Sequence, residues 1–398
     1  MPNELGLYCS LLRSLETDSN DSTAARLRRM SNTIIHLVAG ARPNFMKVAP
    51  LFHTLRRQEW SQPILIHTGQ HYDVLMSDAF FADLDLPAPD VHLNVGSGTH
   101  AEQTARVMMA YEEVCRERRP DWIVVVGDVN STLASALVAA KLCIPLAHLE
   151  AGLRSRDRSM PEEVNRLVTD VLADVLWTPS PAADDNLHSE GVPKSRITRV
   201  GNIMIDAYEM LRSRIESARV RNRYGLDAQD YAVLTLHRPS NVDNKLVLAE
   251  IVHQICATAR RLPVIFTVHP RTAARLREFD LWAGLTTAAG VVVVQPLPYI
   301  EFMSLVREAK VAITDSGGIQ EETTYLGIPC LTLRANTERP ITIEQGTNRL
   351  VSAQQLGPAL ESVLMDDWSS CRRPELWDGC TAERVADDLH ARIVEAGR

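Results

Sequence analysis

The sequence predicts an α/β protein built from two Rossmann-like domains whose parallel sheets face one cleft. Three observations predict it. Ten Val-, Ile- and Leu-rich runs of strand length alternate with helical stretches, the residues that follow these runs are polar and fall into two sets, and the chain of 398 residues exceeds one domain. Near-continuous apolar runs suit strands buried on both faces, and the helices between them supply parallel crossovers. One sheet of ten strands would be large, whereas two of about five are each of common size. At about 150 residues per domain, the length allows two or three.

In chain order, residues 1–30 are a polar extension. Residues 1–12 have no basic region ahead of their short apolar stretch, so they do not read as a signal peptide, and Arg26, Arg28 and Arg29 close the segment. This leader is expected to be dispensable for folding and activity. Strands follow at residues 33–39, 63–68, 122–126, 145–149 and 175–178, and these make a first domain spanning 31–203. A charged helix over 207–224 leads into strands at 232–236, 264–268, 291–294, 311–314 and 330–333, which make a second domain spanning 204–378. The boundary is placed near Gly201 and Asp206. Residues 379–398 read as a terminal helix packing back on the first domain.

Composition excludes several classes. Apolar residues at 45% and charged residues at 23% rule out long disorder and fibrous repeats. The 42 Lys and Arg against 50 Asp and Glu give a net charge of -8, which argues against nucleic acid as a partner. Seven scattered cysteines, never in a C-x-x-C spacing, fit a reducing cytoplasm. No apolar run approaches the roughly 18 residues of a membrane helix, so no membrane association is expected.

Ligands of open parallel sheets lie beyond the carboxyl ends of the strands, so the residues just after each run carry the information. The turn Asp315-Ser316-Gly317-Gly318 opens a helix containing Glu322. Small glycines would let a diphosphate reach backbone N–H groups at the helix start, and Glu322 would accept from a ribose diol. The same turn also serves if it merely packs strand on helix. Arg42 and Lys47 flank Pro43 at a helix start near the first strand tip, either as anion ligands or as solvated charges. Asp128 and Glu150 end neighbouring strands and Glu162 follows Pro161 at a helix start. Three carboxylates crowded in a cleft suit proton transfer, and they equally suit capping or pairing with Arg154 and Arg166. His237 and His269 end strands of the second domain, placed to bind phosphate, move a proton or serve the fold. His67 and His71 run from a strand into a glycine loop, so no metal is expected. No complete G-x-G-x-x-G or G-x-S-x-G occurs, which speaks against bound NAD and a serine hydrolase.

Eight ordered motifs then carry a resemblance. They are Arg42-Pro43-Asn44-Phe45-Met46-Lys47, Thr68-Gly69-Gln70-His71, Gly127-Asp128, Glu150-Ala151-Gly152-Leu153-Arg154, Pro161-Glu162-Glu163-Val164-Asn165-Arg166, His237-Arg238, the segment 315–322, and Thr337-Glu338-Arg339-Pro340. Over about residues 33–351 the chain resembles the non-hydrolysing UDP-N-acetylglucosamine 2-epimerases. The resemblance implies a glycosyltransferase B type fold and interconversion of UDP-GlcNAc with UDP-ManNAc without a cofactor, through C2 deprotonation, anti elimination of UDP and re-addition to a glycal. It implies that Asp128, Glu150, Glu162 and His237 are catalytic, and that Arg42, Lys47, Phe302, Ser316, Gly317, Gly318, Glu322 and Arg339 bind UDP, with Phe302 beside uracil. It further implies a homodimer. Gln70, His71 and His269 match segments that hold a second, activating UDP-GlcNAc in many bacterial members. Tyr72-Asp73 and Pro239-Ser240 replace the usual residues there, so hyperbolic kinetics are expected. The rivals are a hydrolysing epimerase that releases ManNAc and UDP, a 2-epimerase of a related UDP-sugar, a glycosyltransferase and a nucleotide-sugar sensor.

Overall fold

The computed structural model of the protein describes residues 32–69, 81–365, 368 and 372–396; the leader therefore lies outside the described residues. In chain order the first half runs β1 Thr33–Ala39, α1 Arg42–Arg56, β2 Ser61–His67, β3 Val91–His92, α2 His100–Glu117, β4 Trp122–Val126, α3 Asn130–Lys141, β5 Leu146–Leu149, α4 Pro161–Leu172, β6 Val175–Thr178, α5 Pro181–Ser189, β7 Ile197–Arg199 and α6 Ile203–Ala218. The second half runs β8 Ala232–Thr235, α7 Pro239–Val242, α8 Lys245–Ala259, β9 Val264–Thr267, α9 Pro270–Glu278, α10 Trp282–Thr286, β10 Val291–Val294, α11 Tyr299–Val306, β11 Val311–Thr314, α12 Gly317–Leu326, β12 Cys330–Thr332, α13 Ile341–Glu344, β13 Asn348–Leu350, α14 Leu356–Leu364 and α15 Thr381–Ala396.

Two wholly parallel sheets result, with strand orders β3-β2-β1-β4-β5-β6-β7 and β10-β9-β8-β11-β12-β13. Among the described residues the sheets have seven and six strands, not about five each. The strands beyond the expected set, β3, β7 and β13, are two- or three-residue edge strands with incomplete burial, so they carry no continuous apolar run. The helix expected over 207–224 starts earlier and ends earlier. The Asn202 side chain accepts from the Met204 amide and starts α6, and Arg219 turns left-handed at φ 42 and stops it, leaving a separate 3-10 turn at Val220–Tyr224.

The sheets are joined through apolar packing. Ile203, Ile205, Tyr208, Leu211 and Ile215 of α6 share one buried cluster with Phe45 and Leu55 of α1 and with Met303 and Val306 of α11. Helix α15 lies on α1 and α6. Its Asp388 accepts from the buried Trp177 indole at 2.7 Å and from Thr198 at 2.9 Å. Among the described residues no helix is long and apolar enough to cross a membrane.

Asp206, in the first turn of α6, accepts from the Ala382 amide at the start of α15 at 2.7 Å. Burial pushes its carboxyl up to about 6 from 3.8, against the hydrogen bonds from Ala382 and Thr381. A folded value above the unfolded one gives stability that is present at low pH and is lost as pH rises from about 4 through 6. Asp206→Asn keeps an acceptor for Ala382 and cannot ionise. It should gain stability relative to wild type across that window and show a constant difference above it, as read from melting temperatures over a pH series. A difference that stays flat from pH 4 to 7 would contradict a raised carboxyl.

Candidate active site

Strand order reverses between β1 and β4 in one sheet and between β8 and β11 in the other. Loops part at such points, and Arg42 after β1, Asp128 after β4, His237 after β8 and Ser316 after β11 stand there, with Glu150 after the neighbouring β5 and His269 after β9. Asp128 follows β4, and Arg166 on α4 pairs its Oδ2 at 3.0 Å while Asn165 of the same helix donates to its carbonyl at 2.8 Å. Glu150 follows β5 with a left-handed φ of 70°. Lys47 of α1 pairs with its Oε2, and its Oε1 is buried with no hydrogen-bond partner. Gly127 keeps this corner narrow: its φ is 63° and a Cβ there would stand 3.0 Å from the Lys47 ammonium. Glu162, in the first turn of α4, is exposed. The pairing with Arg166 foreseen as an alternative therefore holds for Asp128. Arg154 instead pairs with Asp170 at 2.7 Å and Glu190 at 2.7 Å, away from all three carboxylates.

The facing wall comes from the second sheet. Asp315, fully buried after β11, accepts from the backbone amides of His237 and Arg238 and from the Asn241 side chain, and pairs with His237 Nδ1 at 2.8 Å. Burial opposes the charge, but these partners hold the Asp315 carboxyl below its usual range. The His237 ring is thus anchored on one nitrogen while its side chain stays 43% exposed. The His269 ring lies 5.9 Å away, and its Nδ1 accepts from the Arg271 amide at the start of α9. His237, His269, Phe302, Ser316 and Ile319 line one pocket of about 190 Å³. Gln70 and His71 lie outside the described residues.

The glycine turn has two distinct uses. A Cβ on Gly317 would meet Arg339 Nη1 at 2.7 Å and Glu338 Oε1 at 2.9 Å, so this glycine admits the Arg339 guanidinium, while Gly318 faces open space at the start of α12. Arg339 pairs with Glu321 Oε1 at 2.9 Å and Glu338 Oε1 at 2.5 Å. Burial works against its charge, but Glu321, Glu338, Glu150 and Asp128 outweigh burial and hold the guanidinium protonated. Arg339 thus links the two walls electrostatically. In the same way Arg238 of the second sheet feels Glu162 of the first. Glu322 is buried and accepts from the Tyr299 hydroxyl at 2.6 Å, and burial pushes its carboxyl up to about 7.

The sequence profile of the UDP-N-acetylglucosamine 2-epimerase family matches residues 53–390. The chain belongs to this family. A UDP-N-acetylglucosamine 2-epimerase of Methanocaldococcus jannaschii is 43% identical over 361 residues, covering 88% of this chain and 97% of that one. A UDP-2,3-diacetamido-2,3-dideoxy-D-glucuronate 2-epimerase of Pseudomonas aeruginosa is 39% identical over 320 residues, covering 79% and 87%. The crystal structure of the M. jannaschii UDP-GlcNAc 2-epimerase in complex with UDP-GlcNAc and UDP superimposes with a TM-score of 0.81 at 41% identity, covering 90% of this chain and all of that one. The fold is of the glycosyltransferase B type.

Within this UDP-N-acetylglucosamine 2-epimerase family member, sequence reasoning passed over Glu321 and Asp170. Glu321 stands inside the quoted 315–322 motif, yet only the fold shows that burial pushes its carboxyl up, with Arg339 opposing and Glu150 of the other domain reinforcing. Asp315 was legible as a strand-end carboxylate. Asp170 is a polar residue within a helix and carried no signal.

Proposed function

We propose that the protein interconverts UDP-GlcNAc and UDP-ManNAc without net hydrolysis. The observation that supports this reading is electrostatic: Arg339 of the second domain faces Glu150 and Asp128 of the first closely enough for both to favour its charge, and Arg238 is influenced in the same sense by Glu162. UDP sits on the second domain: Phe302 against uracil, Glu322 at the ribose, and Ser316, Gly317 and Gly318 offering the start of α12 to the diphosphate. Arg42 and Lys47 approach from the first domain.

A C2–H with no adjacent carbonyl is a weak acid, so a positioned carboxylate must act together with stabilisation of the leaving group. The carboxylate takes the C2 proton, the C–H pair becomes the C1–C2 double bond, and the C1–O bond breaks with its electrons going to the β-phosphate of UDP. His237, braced by Asp315, and Arg339 offset the charge that develops there. Protonation of C2 on the opposite face and re-addition of UDP to C1 complete the exchange. Glu150 Oε1, buried and unpartnered, is suited to meet the sugar. No cofactor enters these steps. The setting we propose is a cytoplasmic homodimer.

Product formed in deuterated water should carry deuterium at C2, seen by proton NMR, with UDP retained on the sugar and no NAD added. Product that keeps its C2 proton would exclude this chemistry, and free UDP accumulating in step with turnover would show hydrolysis. The 39% identity to the P. aeruginosa enzyme favours a second reading, in which the sugar is a 2,3-diacetamido uronate. Comparing kcat/KM for the two UDP-sugars separates them.

A further inference from the structure

His148 lies on β5, two residues ahead of Glu150, and is fully buried. Its Nδ1 is 2.6 Å from Asp170 Oδ1 and its Nε2 is 2.8 Å from the Gly127 carbonyl oxygen. The ring thus bridges the Asp170 carboxylate and the Gly127 carbonyl. Asp170 is itself kept ionised: burial pushes its carboxyl up, but His148 and Arg154 outweigh burial and hold it below the usual range. Its Oδ2 accepts from the Gly152 amide at 3.1 Å and pairs with Arg154 Nη1 at 2.7 Å.

One carboxylate of α4 therefore holds two strand tips. Through the ring it holds the carbonyl immediately before Asp128, and directly it holds the amide two residues after Glu150. The backbone there is left-handed at Gly127, Glu150 and Gly152, with φ of 63°, 70° and 78°. For Glu150, which has a side chain, this conformation is strained and persists only where the surroundings over-determine it. Helix α4 also holds Asp128 through Asn165 and Arg166, and it carries Glu162 in its first turn. Glu162, Arg166 and Asp170 are four residues apart and share one helix face.

We infer that Asp170 and His148 are a positioning pair that registers Asp128 and Glu150 against Glu162 for proton transfer at C2. This role rests on the reaction proposed above. Neither side chain reaches the sugar; each acts through the backbone of the catalytic turns. Misplacing a reacting group by about 1 Å can cost roughly 10²-fold in rate. The pair should accordingly matter for turnover and little for UDP, which is held by the other sheet.

The test compares three isosteric variants, with turnover expressed per UDP-binding site counted by calorimetry. Asp170→Asn offers one acceptor to three donors. His148→Asn places an amide only near the Nδ1 position and loses Gly127, whereas His148→Gln reaches the Nε2 position and still donates to it. Asp170→Asn and His148→Asn should lose about 10²-fold in kcat with KM and UDP affinity within about threefold, and His148→Gln should recover most of the rate. Undiminished turnover in Asp170→Asn, a His148→Asn as active as His148→Gln, or a loss of kcat that runs parallel with UDP affinity and melting temperature would overturn the role. Wild-type protein that exchanges no C2 proton would refute the proposed reaction and this role with it. Wild-type exchange alongside undiminished variants would refute the pair alone.

Discussion

Asp128→Asn, Glu150→Gln and Glu162→Gln should each lower kcat by roughly 10²-fold or more, with much smaller changes in UDP affinity. The three side chains come from the first domain, two after its strands β4 and β5 and one from α4, whereas the pocket lined by Phe302 and Ser316 belongs to the second. Each variant carries its own secondary effect. Glu150→Gln deprives the buried Lys47 ammonium of its partner, so its kcat must be measured on folded protein. Asp128→Asn replaces the carboxylate that faces Arg166. Glu162→Gln alters an exposed side chain and is the cleanest of the three. Steady-state kinetics with UDP calorimetry on the same samples checks the split. Near-wild-type turnover in all three would remove the proposed catalytic group.

Arg339→Ala should be the most destabilising change at the cleft and should also weaken UDP binding. The guanidinium is buried between Glu321 and Glu338, and removing one member of a buried ion pair costs about 3–5 kcal/mol because the remaining charge is left uncompensated. Glu338, held well below the usual carboxylate range by Arg339 and Arg334 against the effect of burial, would suffer most. Glu321, which burial already pushes up, can take a proton. Adding Glu321→Gln to Arg339→Ala should therefore restore part of the lost stability, whereas on wild type the same change should destabilise. Denaturant titration of the four proteins reads this cycle. Additive losses would mean that the two groups are not coupled.

Legibility follows the range of the interactions. The strands of both sheet interiors were readable because burial on two faces demands unbroken Val, Ile and Leu, as in Trp122–Val126 and Val311–Thr314. The edge strand Asn348–Leu350 was not, because an edge needs no such run. The start of α6 depended on a single cap, Asn202, and its end on a left-handed Arg219, features smaller than the periodicity used to find helices.

For the candidate site, the sequence by itself determined which polar residues terminate apolar runs, because a strand must end where its side chains turn polar. Asp128, Glu150, His237 and Asp315 are all of this kind. Which of them meet was decided by the tertiary structure. Lys47 reaches Glu150 across 103 residues of chain, and His148 reaches Asp170 across 22, because β1 and β5 both flank β4 and α4 packs on β5. Arg339 feels Glu150 and Asp128 only because α6 and α11 pack the two domains into one apolar core. Apolar burial is non-directional and is written in local composition, whereas an ion pair depends on the separation of two particular atoms. That separation is set by strand order and helix packing, which no local run of residues encodes.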